Sequence, residues 1–350
     1  MRIIENVPLA PYTTLKVGGP ARYFVEARSE AQILEALSHA RARSLPVFVL
    51  GGGSNLVVAD AGWSGLIIRI AVAGIRIEEA EQDGKRVFVA GAGEDWDKLV
   101  AYSVEQNCSG IECMSGIPGT VGGTPVQNVG AYGQEVAETI VSVRVIDRNS
   151  GESRQLSNSD CGFAYRTSIF NQREKDRYIV CEVAYALTPS GRPQIDYADL
   201  KRYFAPSPST PTLPEVREAV RSIRASKAML ITPDDEDCRS AGSFFKNPII
   251  SPAEYDRLAA LPASREQKPP QFVAPDGQVK VSAAWLVERS GFHKGYTEGR
   301  VGISRKHSLA IVNRGGATAA EILNFKDKVQ EGVWKVFGLK LHPEPVFVGF

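Results

Sequence analysis

No C-x-x-C occurs in the 350-residue chain, and its five cysteines (Cys108, Cys113, Cys161, Cys181, Cys238) are odd in number and scattered. That spacing speaks against a disulfide framework or a zinc site. It predicts no bound metal and makes each cysteine a small buried hydrophobe in a reducing, cytoplasmic setting. No apolar run approaches the ~20 residues of a membrane span, and the start MRIIENVPLAPYTT lacks a signal-peptide core, so no membrane partner is expected. The net charge of only +1 gives no reason for a nucleic-acid partner. Histidine is scarce: His39, His293, His307 and His342 are the whole set, and their spacing suggests no Ser-His pair. A Walker A loop is missing. GAGEDW (91–96) begins a dinucleotide fingerprint but lacks its third glycine and its distal acidic residue. Gly91 and Gly93 are expected instead to turn a strand into a helix capped near Asp95. What remains is ordinary globular composition, 43% hydrophobic and 23% charged, with length for two or three subdomains.

The pattern along the chain is α+β. ARYFVEA (21–27) reads as a strand, and Ser29-Glu30-Ala31-Gln32 as the capping box of a helix presenting Ile33, Leu34, Leu37 and Ala40. PVFVL (46–50) is a buried strand running into Gly51-Gly52-Gly53-Ser54-Asn55. Short strands recur from 65 to 93, with Asp83-Gly84 as a hairpin signal, and a helix is predicted over 95–106. TIVSVRVID (139–147) and YIVCEVAYAL (178–187) are further strands. APSPSTPT (205–212) is the best linker in the chain. After it, Thr212-x-x-Glu215 caps a helix to about Leu230. Thr318-x-x-Glu321 caps a long one with Ile322, Phe325, Val329, Val333 and Val336 on one stripe. The expected domains are 1–72, 73–205 and 206–350, with the last strand packing back toward the first part.

Two glycine-rich stretches invite a ligand. GGGSN after a strand suits a backbone that approaches a phosphate closely, since glycines permit φ > 0 and successive N–H groups can form an anion nest; a tight strand-to-strand turn suits it equally. SGIPGTVGGTPVQNVGAYGQE (115–135) holds six glycines and two prolines and cannot form a long regular element. Such stretches inside compact domains are usually functional. Its backbone donors, amides and one aromatic suit a large flat ligand carrying a pyrophosphate, with an ordered Ω-loop as the alternative.

SAGSFFKNP (240–248) matches the S-x-x-K of penicillin-binding acyltransferases. That motif needs a helix to bring Ser and Lys together. Pro248 after Asn247 disfavours one, and the companion S-D-N and K-T-G triplets are absent. A serine hydrolase is a poor reading.

TTLKVGGPA (13–21), GGGSN, IPGTVGGTPVQNVGAYGQE, FAYRTSIF, SAGSFFKNP and LHPEPVFVG together resemble the UDP-N-acetylenolpyruvoylglucosamine reductase family over nearly the whole chain. The resemblance implies a vanillyl-alcohol-oxidase/PCMH-type FAD-binding fold, two α+β subdomains plus a C-terminal α+β substrate-binding domain. It implies noncovalent FAD contacted by Gly51, Gly52, Gly53, Ser54 and Asn55, and by Ile117, Pro118, Gly119, Gly122, Gly123, Gln127, Asn128, Gly130, Ala131 and Tyr132. It places Arg166, Ser243 and Glu344 in the catalytic centre and Tyr197, Lys227 and Asn247 around the UDP-sugar. Tyr197 in QIDYADL resembles the tyrosine of the family's longer subtype, whose extra loop folds over substrate. NADPH is implied as co-substrate, sharing one pocket with the UDP-sugar, and a monomer is expected. The activity implied is reduction of the enolpyruvyl group in peptidoglycan biosynthesis, with hydride from flavin N5 and a proton from Ser243. Two features depart from the family pattern: the acidic run DDEDCR (234–239), and Thr297 where some members carry glutamine.

The chemistry agrees with those roles. Hydride addition to an enolpyruvyl ether puts negative charge on the carboxylate as an enediolate, and the adjacent carbon then needs a proton. Arg166 offers a permanently charged two-pronged clamp. Glu344, between Pro343 and Pro345, can hold or polarise the same group, and Ser243 is a usable neutral acid in a desolvated site. Without the resemblance, Arg166 reads as a surface ion pair, Glu344 as an exposed strand residue and Ser243 as a turn hydroxyl. Two other functions compete. Sugar-alcohol or lactone oxidases of this fold often tether FAD through a histidine near the glycine loops, and none lies between His39 and His293. A UDP-sugar-binding regulator without redox chemistry has no use for Arg166, Ser243 and Glu344 together.

Overall fold

The alternation in PARYFVEA becomes strand Pro20–Ala27, which shares a four-stranded sheet with Ile4–Pro8, Trp63–Ile70 and Val47–Leu50. A computed structural model describes residues 1–78, 84–206 and 209–350; Asp83 of the hairpin signal and residues 207–208 of the linker lie outside the described residues. The chain divides into two units. Met1–Val7, Ala21–Gly53 and Ser64–Ile231 make the first, and Pro8–Pro20, Ser54–Trp63 and Thr232–Phe350 the second.

In the first unit, Val47–Leu50 runs parallel to Trp63–Ile70. Helix Glu30–Ala42 starts where Ser29 Oγ accepts from Gln32 N, while Gln32 Oε1 takes the N–H of Arg28 rather than of Ser29. A second, antiparallel sheet runs Ser153–Ser157, Ile140–Asp147, Tyr178–Pro189, Arg86–Gly91, Ile75–Ile77, with Cys108–Ser109 also paired to Tyr178–Pro189. Asp95 caps helix Trp96–Glu105, as its position after Gly93 predicts. Phe88, Trp96, Leu99, Tyr185 and the helix face of Ile33 and Leu37 share one core.

Helix Leu213–Ser226 stays with the first unit because Val216, Ala219 and Val220 join Cys113, Tyr132 and Leu200 in a buried cluster. The helix also ends four residues early. Lys227 closes it and Ala228 turns left-handed at φ 52°, with Arg224 holding the Met229 carbonyl. All five cysteines are free and buried; burial pushes the Cys161 and Cys181 thiols up to about 12, so they pack as apolar groups.

The second unit holds two three-stranded antiparallel sheets: Ile249–Ile250, Val279–Val281, Gln271–Val273, and Thr297–Glu298, Val301–Ile303, Ile311–Asn313. Strand Val346–Val348 pairs in parallel with Leu56–Val58, the segment just after GGGSN. Helix Ala319–Phe337 has the full Thr318/Glu321 capping box; Phe337 rather than Val336 continues its buried stripe. Leu15, Val17 and Val57 share its core with Phe244, Phe245, Trp285 and Phe325.

Asp97 ties helix Trp96–Glu105 to helix Leu213–Ser226, accepting from Arg217 at 2.6 and 2.9 Å and from Arg221 at 2.6 Å. Burial alone would raise its carboxyl; the bonds from Arg217 and the Gly116 N–H, with the charges of Arg217 and Arg221, hold it below the usual aspartate range. A carboxyl depressed by folding adds stability above its unfolded value of about 3.9 and loses it as pH falls through the folded value. Asp97→Asn therefore destabilises the protein by about 2–3 kcal/mol at neutral pH, and the gap narrows below about pH 4. Urea melts at several pH values check this; a gap that stays constant into acid refutes the role.

Candidate functional site

In the first unit the two glycine stretches meet backbone to backbone. A Cβ on Gly52 would stand 2.5 Å from Gly119 Cα, and one on Gly122 2.6 Å from Ala92 Cβ, so neither position admits a side chain without movement. Gly53 lies at φ 66° and Gly119 at φ 130°. The N–H groups of Gly52 and Gly53 donate to no described residue, and the buried Thr120 Oγ1 has no partner among them either. Residues 51–55 and 117–132 carry no charged side chain. A narrow cradle of neutral donors with an unmet buried hydroxyl fits FAD, whose pyrophosphate backbone amides can bind.

The tract 115–135 is ordered. Short 3-10 turns lead to a hairpin in which Ala131 pairs with Gln134 and Gly130 with Glu135, with Tyr132 and Gly133 at its tip at φ 50° and 91°. Asn128, 1% exposed and at φ 46°, has its carboxamide engaged by Glu135, Ala164 O and Ala137 N, so it braces the tract. Arg166 belongs to the same assembly: its guanidinium donates to Gly130 O at 2.9 Å and Asn128 O at 3.4 Å, and its own φ is 55°. Three left-handed non-glycine residues around one loop are a concentration of strain typical of functional sites.

Tyr132 is also the hub for two residues expected at the sugar. Tyr197 meets it edge-on at 5.4 Å between ring centroids, and Lys227 Nζ stands 5.9 Å from its ring. Lys227 donates to Asp199 at 2.6 Å. Burial pushes the Tyr132 hydroxyl up to about 12, against the pull of the Arg224 charge. Arg224 is 4% exposed and bonded to Gly116 O and Met229 O. It shapes the start of the tract.

In the second unit SFFKN is extended, not helical. Phe244 and Phe245 are 0% and 2% exposed and anchor it, while Gly242 makes the turn before it at φ 73°. It lies antiparallel to 342–344: Phe245 bridges Pro343, Lys246 N donates to His342 O, and Glu344 N donates to Phe244 O at 2.9 Å. Ser243 and Glu344 are thus on adjacent strips. Asn55 completes the clasp, its Nδ2 donating to Glu344 O at 3.3 Å and its carbonyl accepting from Val346 N. Asn247 Oδ1 accepts from Ala283 N at the start of helix Ala283–Arg289.

The serine has a histidine partner after all. Ser243 Oγ lies 3.4 Å from His307 Nε2, correcting the expectation that no Ser-His pair exists; a separation of 64 residues hides it from the sequence. The acidic run is equally structural. Asp237, 2% exposed, accepts from Arg305 N at 3.1 Å and Arg314 at 2.7 Å, and Asp235 accepts from Lys306. Thr14, unnoticed in TTLK, donates to Ser240 O at 2.6 Å. Thr297 is exposed, its hydroxyl donating to Gly295 O.

A family profile described as UDP-N-acetylenolpyruvoylglucosamine reductase, C-terminal domain, matches residues 233–348, and one described as FAD binding domain matches 21–157. The UDP-N-acetylenolpyruvoylglucosamine reductase of Thermobifida fusca is 49% identical over 351 residues, covering 99% of this chain and 98% of its own length. That of Saccharopolyspora erythraea is 45% identical, covering 97% and 94%. Among solved structures, UDP-N-acetylenolpyruvylglucosamine reductase from Thermus caldophilus aligns over 99% of each chain, with a TM-score of 0.66 and 27% identity. The α+β architecture is thus shared with that reductase structure, and its N-terminal part matches an FAD-binding domain. The chain belongs to the UDP-N-acetylenolpyruvoylglucosamine reductase family, an FAD-dependent group of oxidoreductases.

Proposed function

We propose that this protein reduces the enolpyruvyl group of UDP-N-acetylglucosamine enolpyruvate to UDP-N-acetylmuramate with NADPH, in the cytoplasm, as a step of peptidoglycan biosynthesis. The observation that carries this reading is the pairing of 243–246 with 342–344, which sets Ser243 beside Glu344 in a chain 49% identical to a reductase of that name.

Noncovalently bound FAD would supply the redox chemistry that links NADPH to the enolpyruvyl group. The chain's residues manage charge and proton. Gly51–Gly53 and the 117–132 tract hold the cofactor through backbone donors. Arg166, oriented by its bonds to Gly130 O and Asn128 O, neutralises the carboxylate on which charge collects. Glu344 faces the same group. Ser243 gives its hydroxyl proton to the adjacent carbon, and water later restores it. Tyr197, Lys227 and Asn247 receive the UDP-sugar, whose diphosphate competes with Asp199 for Lys227. NADPH and the sugar use one pocket in turn, consistent with the missing dinucleotide fingerprint.

The test is a two-step bleach. The purified protein is yellow, loses its visible absorbance with NADPH under anaerobic conditions, and regains it on adding the enolpyruvyl sugar. Bleaching by NADPH with recovery only by oxygen overturns the substrate; a colourless protein that binds UDP-sugars favours the regulator.

A further inference from the structure

We infer that His307 is a positioning residue for proton delivery: its Nε2–H holds the Ser243 hydroxyl with the transferable proton turned away from the ring, and steadies the oxygen once that proton has gone. This rests on the reading of Ser243 as the acid.

The direction of the Ser243–His307 contact follows from the other ring nitrogen. Leu309 N is 3.0 Å from His307 Nδ1. A backbone N–H can only donate, so Nδ1 is bare and the ring proton sits on Nε2. Nε2 lies 3.4 Å from Ser243 Oγ, so the ring donates and the hydroxyl accepts. A serine hydroxyl has one proton and two lone pairs; with a lone pair satisfied by His307, its proton remains available. The reverse arrangement, imidazole as base and serine as nucleophile, needs the other tautomer, which would set Nδ1–H against Leu309 N–H.

The surroundings fix both partners. Ser304 Oγ, fully buried, accepts from Lys306 N at 3.0 Å and His307 N at 3.2 Å. Asp237 and Asp235 of the acidic run pin Arg305 and Lys306 just before the histidine. Leu309 aligns the pair, its N–H on the imidazole and its carbonyl accepting from Phe244 N at 2.8 Å. In the transfer the Ser243 O–H bond breaks and a substrate C–H bond forms. The O–H electron pair stays on Oγ as alkoxide, Nε2–H is donated to it, and solvent water returns the proton. A bond of 3.4 Å to a neutral hydroxyl tightens as that oxygen gains charge, so the stabilisation grows as the transition state is approached.

Two substitutions split the ring's functions. His307→Gln places an amide donor near Nε2, whereas His307→Asn keeps an acceptor near Nδ1 but no donor toward Ser243. In the FAD-loaded enzyme, bleaching by NADPH is expected to be unchanged in both. Reoxidation by the enolpyruvyl sugar falls about 10²-fold in His307→Asn, the scale of losing one donor to a developing oxyanion, and returns to within about tenfold in His307→Gln. His307→Asn combined with Ser243→Ala is no slower than Ser243→Ala alone, since the two act as a unit. Independently of turnover, ¹⁵N NMR of labelled histidine reports the Nε2–H tautomer for His307. An Nδ1–H tautomer, Gln no better than Asn, or additive losses in the double variant overturn this inference while leaving Ser243 as the acid. Normal reoxidation in Ser243→Ala instead removes the reading beneath it.

Discussion

Ser243→Ala keeps its flavin and is bleached by NADPH at close to the normal rate, yet its reoxidation by the enolpyruvyl sugar slows by roughly 10²-fold or more, as expected for loss of a positioned acid. The asymmetry follows from the chemistry. Taking hydride from NADPH requires no proton on a substrate carbon, whereas the second half-reaction does. The substitution is also structurally mild. Ser243 is half-buried, and its strip is held by the buried Phe244 and Phe245 and by the Glu344 N–H on Phe244 O, none of which involves the hydroxyl. Cysteine at 243 restores part of the rate, because a thiol is the stronger acid. Stopped-flow traces of the two half-reactions decide the matter; a variant losing mainly the NADPH step removes Ser243 from proton delivery.

Arg166→Lys loses on the order of 10²–10³ in kcat despite conserving the charge. Lysine cannot reproduce the planar fork that reaches Gly130 O and Asn128 O together. Lysine also inherits the left-handed backbone at φ 55° without the bonds that hold the tract around it. FAD content and melting temperature separate the two routes to failure: a catalytic role predicts a flavin-loaded, folded and slow enzyme. Activity within a few-fold of wild type excludes Arg166 from the chemistry.

Local rules carried much of the fold. The capping boxes at Thr212/Glu215 and Thr318/Glu321 form with both reciprocal bonds, and Asp95 caps the helix after Gly93. Periodicity misjudged ends and edges. The helix after Thr212 stops at Ser226, because Arg224 takes a carbonyl beyond the end and Ala228 turns left-handed. Val336 faces solvent where Phe337 packs, because the apolar stripe drifts around a 3.6-residue turn. In the site, glycine content and the quoted motifs picked out the cradle and the serine strip. The His307 partnership, the Asn55 clasp on Glu344 and the role of Thr14 were invisible, since each joins residues 64, 289 or 226 positions apart and no local spacing encodes such a contact.

The second unit draws Pro8–Pro20 and Ser54–Trp63 into a core otherwise made by Thr232–Phe350, and this sets a timetable for synthesis. Asn313 Nδ2 donates to Leu15 O across 298 residues. At about 5–20 residues per second, Leu15 waits on the order of 15–60 s on the ribosome before that partner exists. During that interval Leu15, Val17 and Val57, at most 2% exposed in the finished protein, are open to water beside nascent strands. The first unit, whose three segments all precede Thr232, can close early, while the unit bearing Ser243, His307 and Glu344 assembles only as the last helix and strand emerge. Translation speed over the final hundred or so codons, and chaperone occupancy of the N-terminal segments, therefore govern how much of this protein reaches an active state.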